Sequence, residues 1–468
     1  MNHDDLNHWS KRAADWARDY HAGLRDRPVR PDVTPGEIAA KLPHEAPEAP
    51  EPMERIFADF ERIVPEGMTH WQHPRFFAYF PANAAPASML AEQLANAIAA
   101  QGMLWQTAPA ATEIEEVMVR WLGGALGLPA RFSGTIHDSA TVATLSAVLA
   151  MREAALDWAG NADGLSGQPQ LKLYAGDQTH SSIDKAARIA GIGDAGLVKV
   201  ETDTTLSMRP EALATAIAED RAAGHLPIGV ILSVGGTSVG GTDRIADCVA
   251  VAKEAGLPTH VDAAWAGSAM ICPEFRHFWE GVEGADSIVF NPHKWLGAQF
   301  DCAVQFLADP GDQIRTLGLK PAFLTTPEAD APTDFNDWTV PLGRRFRALK
   351  LWFVMRAYGL EGLRTRIRNH VAWAEELAGE IAAMPGLEIV TEPMLSLFTF
   401  AAQSDDETLR LIADINAEGH VYLTQTVHAG RAAIRVQVGQ FDCTRDDVMA
   451  VAEVLRRHRA GEACREAG

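Results

Sequence analysis

The feature that most constrains the fold is an alternation of short apolar segments and helices between about residues 113 and 310. Strands are predicted at 171–175, 198–201, 228–234, 259–262, 287–290 and 303–307. Helices are predicted at 113–124, 140–157, 181–190, 211–223 and 245–255. Because helices separate the strands, we expect right-handed crossovers and a mostly parallel, buried sheet. Ligands of such sheets bind at the carboxyl ends of the strands, so candidate residues are sought there.

The segments before and after this region have different patterns. Apolar residues recur at helical spacing within residues 1–27. Seven prolines between residues 28 and 52 then predict an extended strap, and a second helix follows at 53–64. Two helices joined by a strap cannot enclose a core, so we predict an arm that lies on another subunit.

The C-terminal part is predicted to be an α+β unit. A long helix begins near residue 346 and another spans 361–384. The remaining predicted elements are strands near 388–391, 396–402, 421–426 and 433–438, and helices at 406–418 and 445–459. The chain therefore divides into a predicted arm at 1–77, a large α/β domain at 78–345 and a small α+β domain at 346–468.

The charge balance disfavours two classes of partner. Among 468 residues, Lys and Arg number 41 and Asp and Glu 62, so the formal net charge is −21. Nucleic acids and anionic membranes attract clustered Lys and Arg, and an acidic chain does not favour them. The longest uncharged run, 93–112, contains Gln, Asn, Gly and Pro and does not predict a membrane span.

Cysteine usage indicates a reducing compartment. The five cysteines include no Cys-x-x-Cys pair, which disfavours a disulfide framework or a zinc ribbon and favours the cytoplasm. Residues 1–5 are polar and acidic, so no signal peptide is predicted. His70 and His73 have the spacing of metal ligands but no carboxylate nearby, and we predict no metal site.

Two charged side chains follow predicted strands. Asp262 ends an apolar strand and precedes small residues. Its carboxylate either caps the next helix or pairs with a cationic ring nitrogen, with Ala264 leaving room for a flat ring. Lys294 follows strand 287–290. It is either a solvated surface lysine or a desolvated one, whose neutral amine forms imines with carbonyl compounds.

Two further polar segments complete a pattern. His180 follows strand 171–175 and either makes a core hydrogen bond or lies flat on an aromatic cofactor. Ala140 and Thr141 begin a helix, where free backbone N–H groups and the helix dipole favour phosphate. A lysine for an imine, an aspartate for a ring nitrogen, a histidine for a ring face and a helix start for phosphate are the set that holds pyridoxal phosphate.

A hydrolase is a distant alternative. Residues 236–240 match the Gly-x-Ser-x-Gly pattern, and Ser238, Asp262 and His293 have the chain order of a hydrolase triad. That interpretation leaves the other polar residues at strand ends unexplained. The phosphate-loop motif Gly-x-x-x-x-Gly-Lys-[Ser/Thr] and the metalloprotease motif His-Glu-x-x-His do not occur in the sequence.

Four longer motifs carry a family resemblance. They are THWQHPRFFAYFP at 69–81, HVDAAWAGS at 260–268, NPHKW at 291–295 and PLGRRFR at 341–347. With them the chain resembles the aromatic-L-amino-acid decarboxylases, which are group II pyridoxal-phosphate decarboxylases, from about residue 5 to 440. The resemblance implies an aspartate-aminotransferase-like α/β fold (PLP fold type I) with a mostly parallel central sheet, an N-terminal helical arm and a small α+β C-terminal domain. It also implies a homodimer with a shared active site.

The resemblance assigns roles to individual residues. Lys294 matches the Schiff-base lysine, Asp262 the partner of the pyridinium nitrogen and His180 the histidine stacked on the ring. Further cofactor contacts are implied for Ala140, Thr141, Thr237, Ala264, Asn291 and His293. Substrate contacts are implied for Trp71, Tyr79, Phe80, Ala82 and Met103.

The sequence departs from the family at one catalytic position. A mobile loop of the decarboxylases carries a tyrosine that is thought to protonate Cα after CO₂ leaves, and Phe323 at the matching place has no hydroxyl. Phenylalanine there resembles the plant aldehyde synthases, in which O₂ reacts and aldehyde, ammonia and peroxide form. Met103 and Ala82 replace an aromatic residue and a threonine, which leaves the side-chain preference open.

We therefore predict a cytoplasmic pyridoxal-phosphate-dependent carboxy-lyase. Its predicted substrates are aromatic L-amino acids of the Dopa, Tyr, Phe or Trp type, and its predicted products are the amine and CO₂. An aromatic acetaldehyde synthase is the main alternative. A decarboxylase of acidic amino acids is less favoured because the aromatic-family motifs dominate.

Overall fold

The computed structural model describes residues 1–319 and 332–466, so Phe323 lies outside the described residues. By its internal contacts the chain forms two compact units. The first comprises Met1–Pro81, Trp373–Val390 and Thr399–Gly468, and the second comprises Ala82–Ala372 and Thr391–Phe398. The three-part division at residues 77 and 345 stays a prediction.

The second unit contains a seven-stranded sheet in the order β1-β7-β6-β5-β4-β2-β3. Its strands are β1 (Ser133–His137), β2 (Leu171–Gly176), β3 (Leu197–Val200), β4 (Leu226–Ser233), β5 (Thr259–Asp262), β6 (Ser287–Phe290) and β7 (Ala303–Leu307). Strands β6, β5, β4, β2 and β3 pair in parallel, whereas β7 is antiparallel to both β1 and β6. The prediction of a mostly parallel α/β sheet is confirmed.

Helices flank and connect these strands. They are α1 (His3–Ala22), α2 (Met53–Ile63), α3 (Pro86–Ile98), α4 (Pro109–Leu126), α5 (Ala140–Ala155), α6 (Ala159–Asp163), α7 (Ser182–Ile189), α8 (Pro210–Ala222), α9 (Ile245–Glu254), α10 (Pro292–Trp295), α11 (Gly311–Leu317), α12 (Ala348–Ala382), α13 (Asp405–Glu418) and α14 (Arg445–Glu466). Helix α12 is interrupted at Gly359, whose φ of 63° and ψ of 165° are not helical. Within residues 1–319 and 332–466, none of the helices has both the length and the apolar character required to cross a membrane.

Strand β1 was not predicted because its sequence, SGTIH, is not an apolar run. It is nevertheless buried almost throughout, since it pairs with β7 and packs against α4. Gly134 allows this close pairing, because a Cβ there would collide with the carbonyl oxygen of Gln305. Tertiary contacts therefore create this strand from a segment of weak local preference.

Helix α3 was also not predicted. It begins with Pro86 at its first turn and ends at Ala99, which is left-handed with a φ of 52°. Its large apolar side chains Leu90, Leu94 and Ile98 are between 43 and 66 % exposed. Because the spacing of four places them on one face, they form an exposed apolar stripe, hereafter the α3 stripe.

A second sheet has the order β10-β11-β9-β8. Its strands are β8 (Leu387–Met394), β9 (Leu397–Ala402), β10 (Thr424–His428) and β11 (Arg431–Gln437). Ser404 begins α13 as an N-cap by accepting a hydrogen bond from the backbone N–H of Glu407. In the first unit, α1 also packs on α2 through aromatic contacts, with the rings of Trp16 and Phe60 4.8 Å apart. The predicted helices and strands of both ends of the chain are present.

A buried ion pair ties the motif at 341–347 to the large sheet. Arg344 and Glu115 are both nearly inaccessible, and Arg344 Nη2 lies 2.5 Å from Glu115 Oε1. Arg344 also donates to the hydroxyl of Thr135 and the carbonyl of Ile136, and Glu115 accepts the backbone N–H of Ile136. The pair thus holds α4, β1 and the segment before α12 together.

Hydrogen bonds also cross the interior of the sheet. His260 contacts Thr144 Oγ1 through Nε2 at 3.1 Å and Ser287 Oγ through Nδ1 at 2.9 Å. Gln305 donates to Ser287 Oγ and to Gln313 Oε1, at 3.0 and 2.9 Å. These five residues form a continuous buried polar chain from α5 through β5, β6 and β7 to α11.

Removing the guanidinium of the buried pair is expected to destabilise the fold strongly. In the Arg344→Met variant the buried carboxyl of Glu115 loses its cationic partner, which costs roughly 3–5 kcal/mol in free energy of unfolding. Urea denaturation followed by circular dichroism measures this loss. Arg62→Met breaks the exposed pair of Arg62 with Asp59 and serves as the control, with an unchanged midpoint expected. Equal midpoints for both variants would contradict the anchoring role.

One of the buried histidines, His260, also predicts a pH dependence of stability. Burial lowers the pKa of His260 to about 4, although the charge of Asp262 acts in the opposite direction. The unfolded chain binds a proton near pH 6.5, whereas the folded chain does so only near pH 4. The stabilisation is therefore complete above about pH 6.5 and is lost as the pH falls through 4, with a slope of up to about 1.4 kcal/mol per pH unit.

His260→Gln is expected to remove this one-proton slope between pH 6.5 and 4. Urea denaturation at several pH values measures the slope for the wild type and the variant. His3→Gln changes an exposed histidine of α1 and is expected to leave the slope intact. A variant slope equal to that of the wild type would show that His260 does not titrate as described.

Candidate active site

One edge of the large sheet collects most of the predicted site residues. Strands β1, β2, β4, β5 and β6 run in the same direction, because two antiparallel pairings separate β1 from β6. Asp262 is the last residue of β5, and Ala264 follows it. The carboxyl ends of β1, β2, β4 and β6 are followed by Ala140 and Thr141, by His180, by Thr237, and by Asn291, His293 and Lys294, respectively. This is the edge at which ligands of parallel sheets bind.

The segments after β5 and β6 are joined to each other. The backbone N–H of Asn291 donates to the carbonyl of Ala264 at 2.8 Å. Trp265 and Trp295, one from each segment, stack with ring centroids 5.2 Å apart, and Trp295 Nε1 donates to Nδ1 of the buried His370 at 2.9 Å. These contacts fix the position of Lys294 relative to β5.

Asp262 lies at the end of β5 and is only 9 % exposed. Its Oδ1 accepts the backbone N–H of Ala264 at 3.0 Å. The carboxylate therefore orders the turn that follows β5, while remaining on the edge that carries Lys294. It does not cap the next helical segment, Ala266–Ile271, whose N-cap residue is Trp265. One oxygen in a local turn does not exclude the second from binding a cationic ring nitrogen.

Lys294 lies in the short helix α10 and is half-buried. Asn83, which sequence reasoning missed, clamps this segment: its backbone N–H donates to the carbonyl of His293 at 3.1 Å, and its side-chain amide donates to the carbonyl of Lys294 at 2.8 Å. Asn83 is 1 % exposed. Its position two residues after the motif at 69–81 was the available signal.

His180 follows β2 at this edge, and its side chain is only partly shielded from solvent. Burial lowers its pKa, the charge of Asp262 opposes that effect and the charge of Lys294 adds to it. Both charges therefore act on the imidazole. The backbone N–H of Ser182 donates to His180 Nδ1 at 3.1 Å, so the neutral ring carries its proton on Nε2. The structure thus gathers an amine, a carboxylate and an imidazole N–H in one neighbourhood.

The start of α5 provides a place for an anion. Ser139 caps the helix by accepting the N–H of Val142 at 3.3 Å. Ala140 and Ala143 pack with Val289 and Ala264 in one small apolar cluster, so the helix start and the residue after β5 adjoin. Small side chains leave space above the sheet, and the free N–H groups of the first turn favour phosphate.

This donor set fits pyridoxal phosphate. The cofactor needs an amine for its aldehyde, a carboxylate for its ring nitrogen and N–H groups for its phosphate. Lys294, Asp262 and the start of α5 supply these groups on one sheet edge, and Ala264 and Ala140 leave room where larger side chains would fill the space. His180 offers an imidazole face beside them.

The loop that carries Thr237 contains the glycines of the Gly-x-Ser-x-Gly pattern, and the geometry of the loop accounts for them. Gly236 donates its N–H to the carbonyl of Gly241 at 2.7 Å and accepts that of Gly240 at 2.8 Å. Gly235 and Gly240 have φ of 75° and 84°, which side chains tolerate poorly. The glycines therefore close a tight loop that leaves Thr237 half-buried at the sheet edge.

The hydrolase alternative does not match the geometry. His293 Nδ1 accepts the backbone N–H of Cys302 at 2.9 Å. In a triad that nitrogen donates to the carboxylate. Burial, aided by the charge of Lys294, lowers the pKa of His293 to about 3, so the ring is a neutral structural group. It adjoins Phe300, with ring centroids 4.9 Å apart.

The predicted substrate residues fall in different places. Trp71, Tyr79 and Phe80 belong to the first unit, where Trp71 and Tyr79 stack with centroids 5.9 Å apart. Ala82 directly precedes Asn83 in the second unit. Met103, in the same unit, accepts the N–H of Asn336 through its carbonyl at 3.1 Å.

The histidines with metal-like spacing have other contacts. His70 Nδ1 lies 2.8 Å from Tyr20 Oη, and His73 Nδ1 accepts the N–H of Arg75 at 3.0 Å. In the parts of the chain that the structure covers, 1–319 and 332–466, no three His, Cys, Asp or Glu side chains are grouped so that they could hold a metal ion.

Comparison with known proteins shows the family of this chain. The model of the pyridoxal-dependent decarboxylase conserved domain matches residues 35–403. The aromatic-L-amino-acid decarboxylase of Mus musculus is 40 % identical, over 90 % of this chain and 91 % of its own. The phenylacetaldehyde synthase of Arabidopsis thaliana is 36 % identical, over 94 and 92 %. The crystal structure of an Oryza sativa TDC with PLP and tryptamine superposes with a TM-score of 0.94 at 34 % identity, over 98 % of both chains.

These likenesses extend over nearly the whole chain and confirm the expected fold type and the expected class of enzyme. The neighbouring structure contains PLP, in agreement with the donor set on the sheet edge. The chain belongs to the family of pyridoxal-phosphate-dependent aromatic amino acid decarboxylases, and pyridoxal phosphate is its cofactor.

Proposed function

We propose that this protein decarboxylates aromatic L-amino acids to the corresponding amines. The observation that carries the proposal is that Lys294, Asp262 and His180 lie at one edge of the sheet, at the carboxyl ends of β6, β5 and β2. When bound, pyridoxal phosphate accepts the electron pair left behind as CO₂ departs.

The proposed roles of the residues follow from their positions. Lys294 would hold the cofactor covalently through its side-chain amine. Asp262 keeps a proton on the ring nitrogen, because a buried carboxylate favours the cationic form of its partner. The start of α5 binds the phosphate, with Ala140 and Thr141 in its first turn.

Further contacts are proposed from the family motifs. Thr237, Ala264, Asn291 and His293 would border the cofactor from the loops after β4, β5 and β6. Trp71, Tyr79, Phe80, Ala82 and Met103 would contact the substrate. Aromatic and apolar surfaces of this kind favour a flat, apolar substrate side chain.

Whether Cα receives a proton after CO₂ leaves decides between two products. Amine formation requires a proton donor at Cα, and Phe323 has no hydroxyl to supply it. His180 carries a proton on Nε2, as its hydrogen bond with Ser182 indicates, and we propose it as the donor. The alternative is an aldehyde synthase, in which O₂ and water convert the amino acid to aldehyde, CO₂, ammonia and peroxide. Phe323 and the phenylacetaldehyde synthase among the relatives favour that alternative.

Product analysis in air tests this proposal. L-Dopa, L-Tyr, L-Phe and L-Trp are incubated separately with the holoenzyme, and amine, aldehyde and peroxide are quantified. We expect amine without peroxide from at least one substrate. Lys294→Ala is expected to abolish both turnover and the visible absorbance of the bound cofactor. Phe323→Tyr supplies a hydroxyl and is expected to shift any aldehyde toward amine.

Aldehyde and peroxide in equal amounts from the wild type would refute the decarboxylase proposal in favour of the synthase. Turnover of glutamate or cysteine sulfinate in preference to the aromatic substrates would refute the proposed substrate class. Turnover by Lys294→Ala would refute the role given to that lysine.

We further propose that the protein is a homodimer that shares its active sites and works in a reducing compartment such as the cytoplasm. The α3 stripe supports assembly, because a second copy of this chain would remove its leucines and isoleucine from water. Cys248, Cys272, Cys302 and Cys443 are all free thiols in the structure and are buried, which supports the reducing compartment.

A charge in the α3 stripe is expected to weaken the dimer. Leu94→Glu would place a carboxylate in the apolar interface, so light scattering should detect monomer where the wild type has about twice the mass of 50.7 kDa. Ile189→Glu on α7 adds the same charge at another exposed apolar position and is expected to leave the mass unchanged. A monomeric wild type, or a dimeric Leu94→Glu at all concentrations, would contradict the assignment of this stripe.

A further inference from the structure

A cavity of about 220 Å³ opens at the other edge of the large sheet. It lies where β5 and β6 begin, beside Pro258 and Asp286, and is bordered by α5 and α11. Asp262 ends β5 three residues after Thr259, so a strand length of about 10 Å separates this edge from the candidate active site. The cavity is thus a separate feature of the second unit.

Part of the inner surface of the cavity is apolar. Ala147, Met151 and Leu307 are buried and line it from α5 and β7. An apolar cavity of about 150 Å³ holds benzene, so a space of about 220 Å³ accommodates one aromatic ring and a short chain. An apolar ring or chain is therefore the part of a ligand that this surface favours.

The opening of the cavity is acidic. Asp286, Asp309 and Asp312 lie there and are exposed, together with Arg131. The guanidinium of Arg131 donates to the carbonyl of Glu283 and lies 4.8 Å from the centre of the Phe132 ring, and it keeps its positive charge at the opening. Three carboxylates and one arginine give the opening a negative potential that attracts cations and repels anions.

The floor of the cavity is held rigid by the buried polar chain. Ser287 and Gln313 line the cavity, and both are hydrogen-bonded to Gln305. Ser287 is also bonded to His260, which is bonded to Thr144 on α5. Because these hydrogen bonds fix the floor, a ligand does not have to order it on binding.

We propose that this cavity binds one small organic cation, a protonated amine attached to a single apolar ring or short apolar chain. The ring lies against Met151 and Leu307, and the ammonium group lies at the carboxylates of the opening. An aromatic amino acid fits less well, because its carboxylate meets the negative opening. Decarboxylation removes that carboxylate, so the ligand class includes the products of the proposed function, and this last step alone rests on that function.

The test uses a cation that cannot react with the cofactor in the active site. N,N-Dimethyl-2-phenylethylamine is a tertiary amine and forms no imine with an aldehyde. Titration calorimetry with the holoenzyme is expected to show one site per chain, with affinity that decreases as salt is added. The anion 3-phenylpropionate, of similar size and shape, is expected not to bind there.

Two variants locate the binding site. Ala150→Leu adds three carbons to the wall formed by α5 and is expected to weaken binding about tenfold or more. Asp312→Asn removes one charge at the opening. It is expected to weaken binding several-fold while leaving the hydrophobic core of the protein unchanged. The matched controls Ala214→Leu on α8 and Asp163→Asn on α6 change exposed residues elsewhere and are expected to bind like the wild type.

Binding that is unchanged in both cavity variants, absent in the wild type or equal for the anion would overturn the proposal. Amine production is measured separately and is expected to persist in both variants. A protein that makes no aromatic amine but binds the tertiary amine in this cavity would refute the proposed function and leave the cavity site standing. A protein that makes aromatic amine but does not bind the tertiary amine in this cavity would refute the cavity site alone.

Discussion

The parallel pairing of β5 with β6 is the constraint on which the candidate active site depends. It brings Asp262 and the segment with Lys294 to the same edge of the sheet, although 32 residues separate them in sequence. The hydrogen bond from Asn291 to Ala264 and the stack of Trp265 on Trp295 extend this pairing beyond the strands. Since an imine and a ring nitrogen belong to one rigid cofactor, a fixed separation between the two side chains is what the proposed chemistry requires.

A few of the residues buried in the interior of the same sheet are polar. His260, Ser287 and Gln305 are fully or nearly buried, and each has a hydrogen-bond partner in the polar chain. Buried groups of this kind stabilise a unique packing only when they are satisfied. The polar chain thereby supports both edges of the sheet: the helix start proposed for phosphate on one side and the floor of the cavity on the other.

Much of the fold follows from local patterns, and the exceptions have physical reasons. Strands β5, β6 and β7 lie within the predicted ranges because each is a short apolar run between helices. Strand β1 lacks such a run, and it is a strand because β7 and α4 cover it. Helix α3 has its apolar residues on an exposed face, so its pattern does not indicate a contact with this chain's own core.

Some residues of the candidate site were likewise recognisable from the sequence, and others were not. Asp262, Lys294 and His180 were recognisable because each is a polar residue at or just after the end of an apolar strand, and Asp262 and Lys294 also lie in family motifs. Asn83 has no such signal: its bond to the carbonyl of Lys294 spans 211 residues of sequence. The proton on His180 Nε2 is likewise assigned only by the hydrogen bond that Ser182 makes to Nδ1.

By itself, the sequence determined the order of helices and strands, the residue types available for chemistry and the family to which their motifs belong. These depend on periodicity, turn residues and short motifs, which act over a few residues. Only the tertiary structure decided which side chains meet, which histidines stay neutral, and where an acidic opening adjoins an apolar cavity. Those properties arise from burial and from contacts between distant segments, because the energy of a charge or a hydrogen bond depends on what surrounds it.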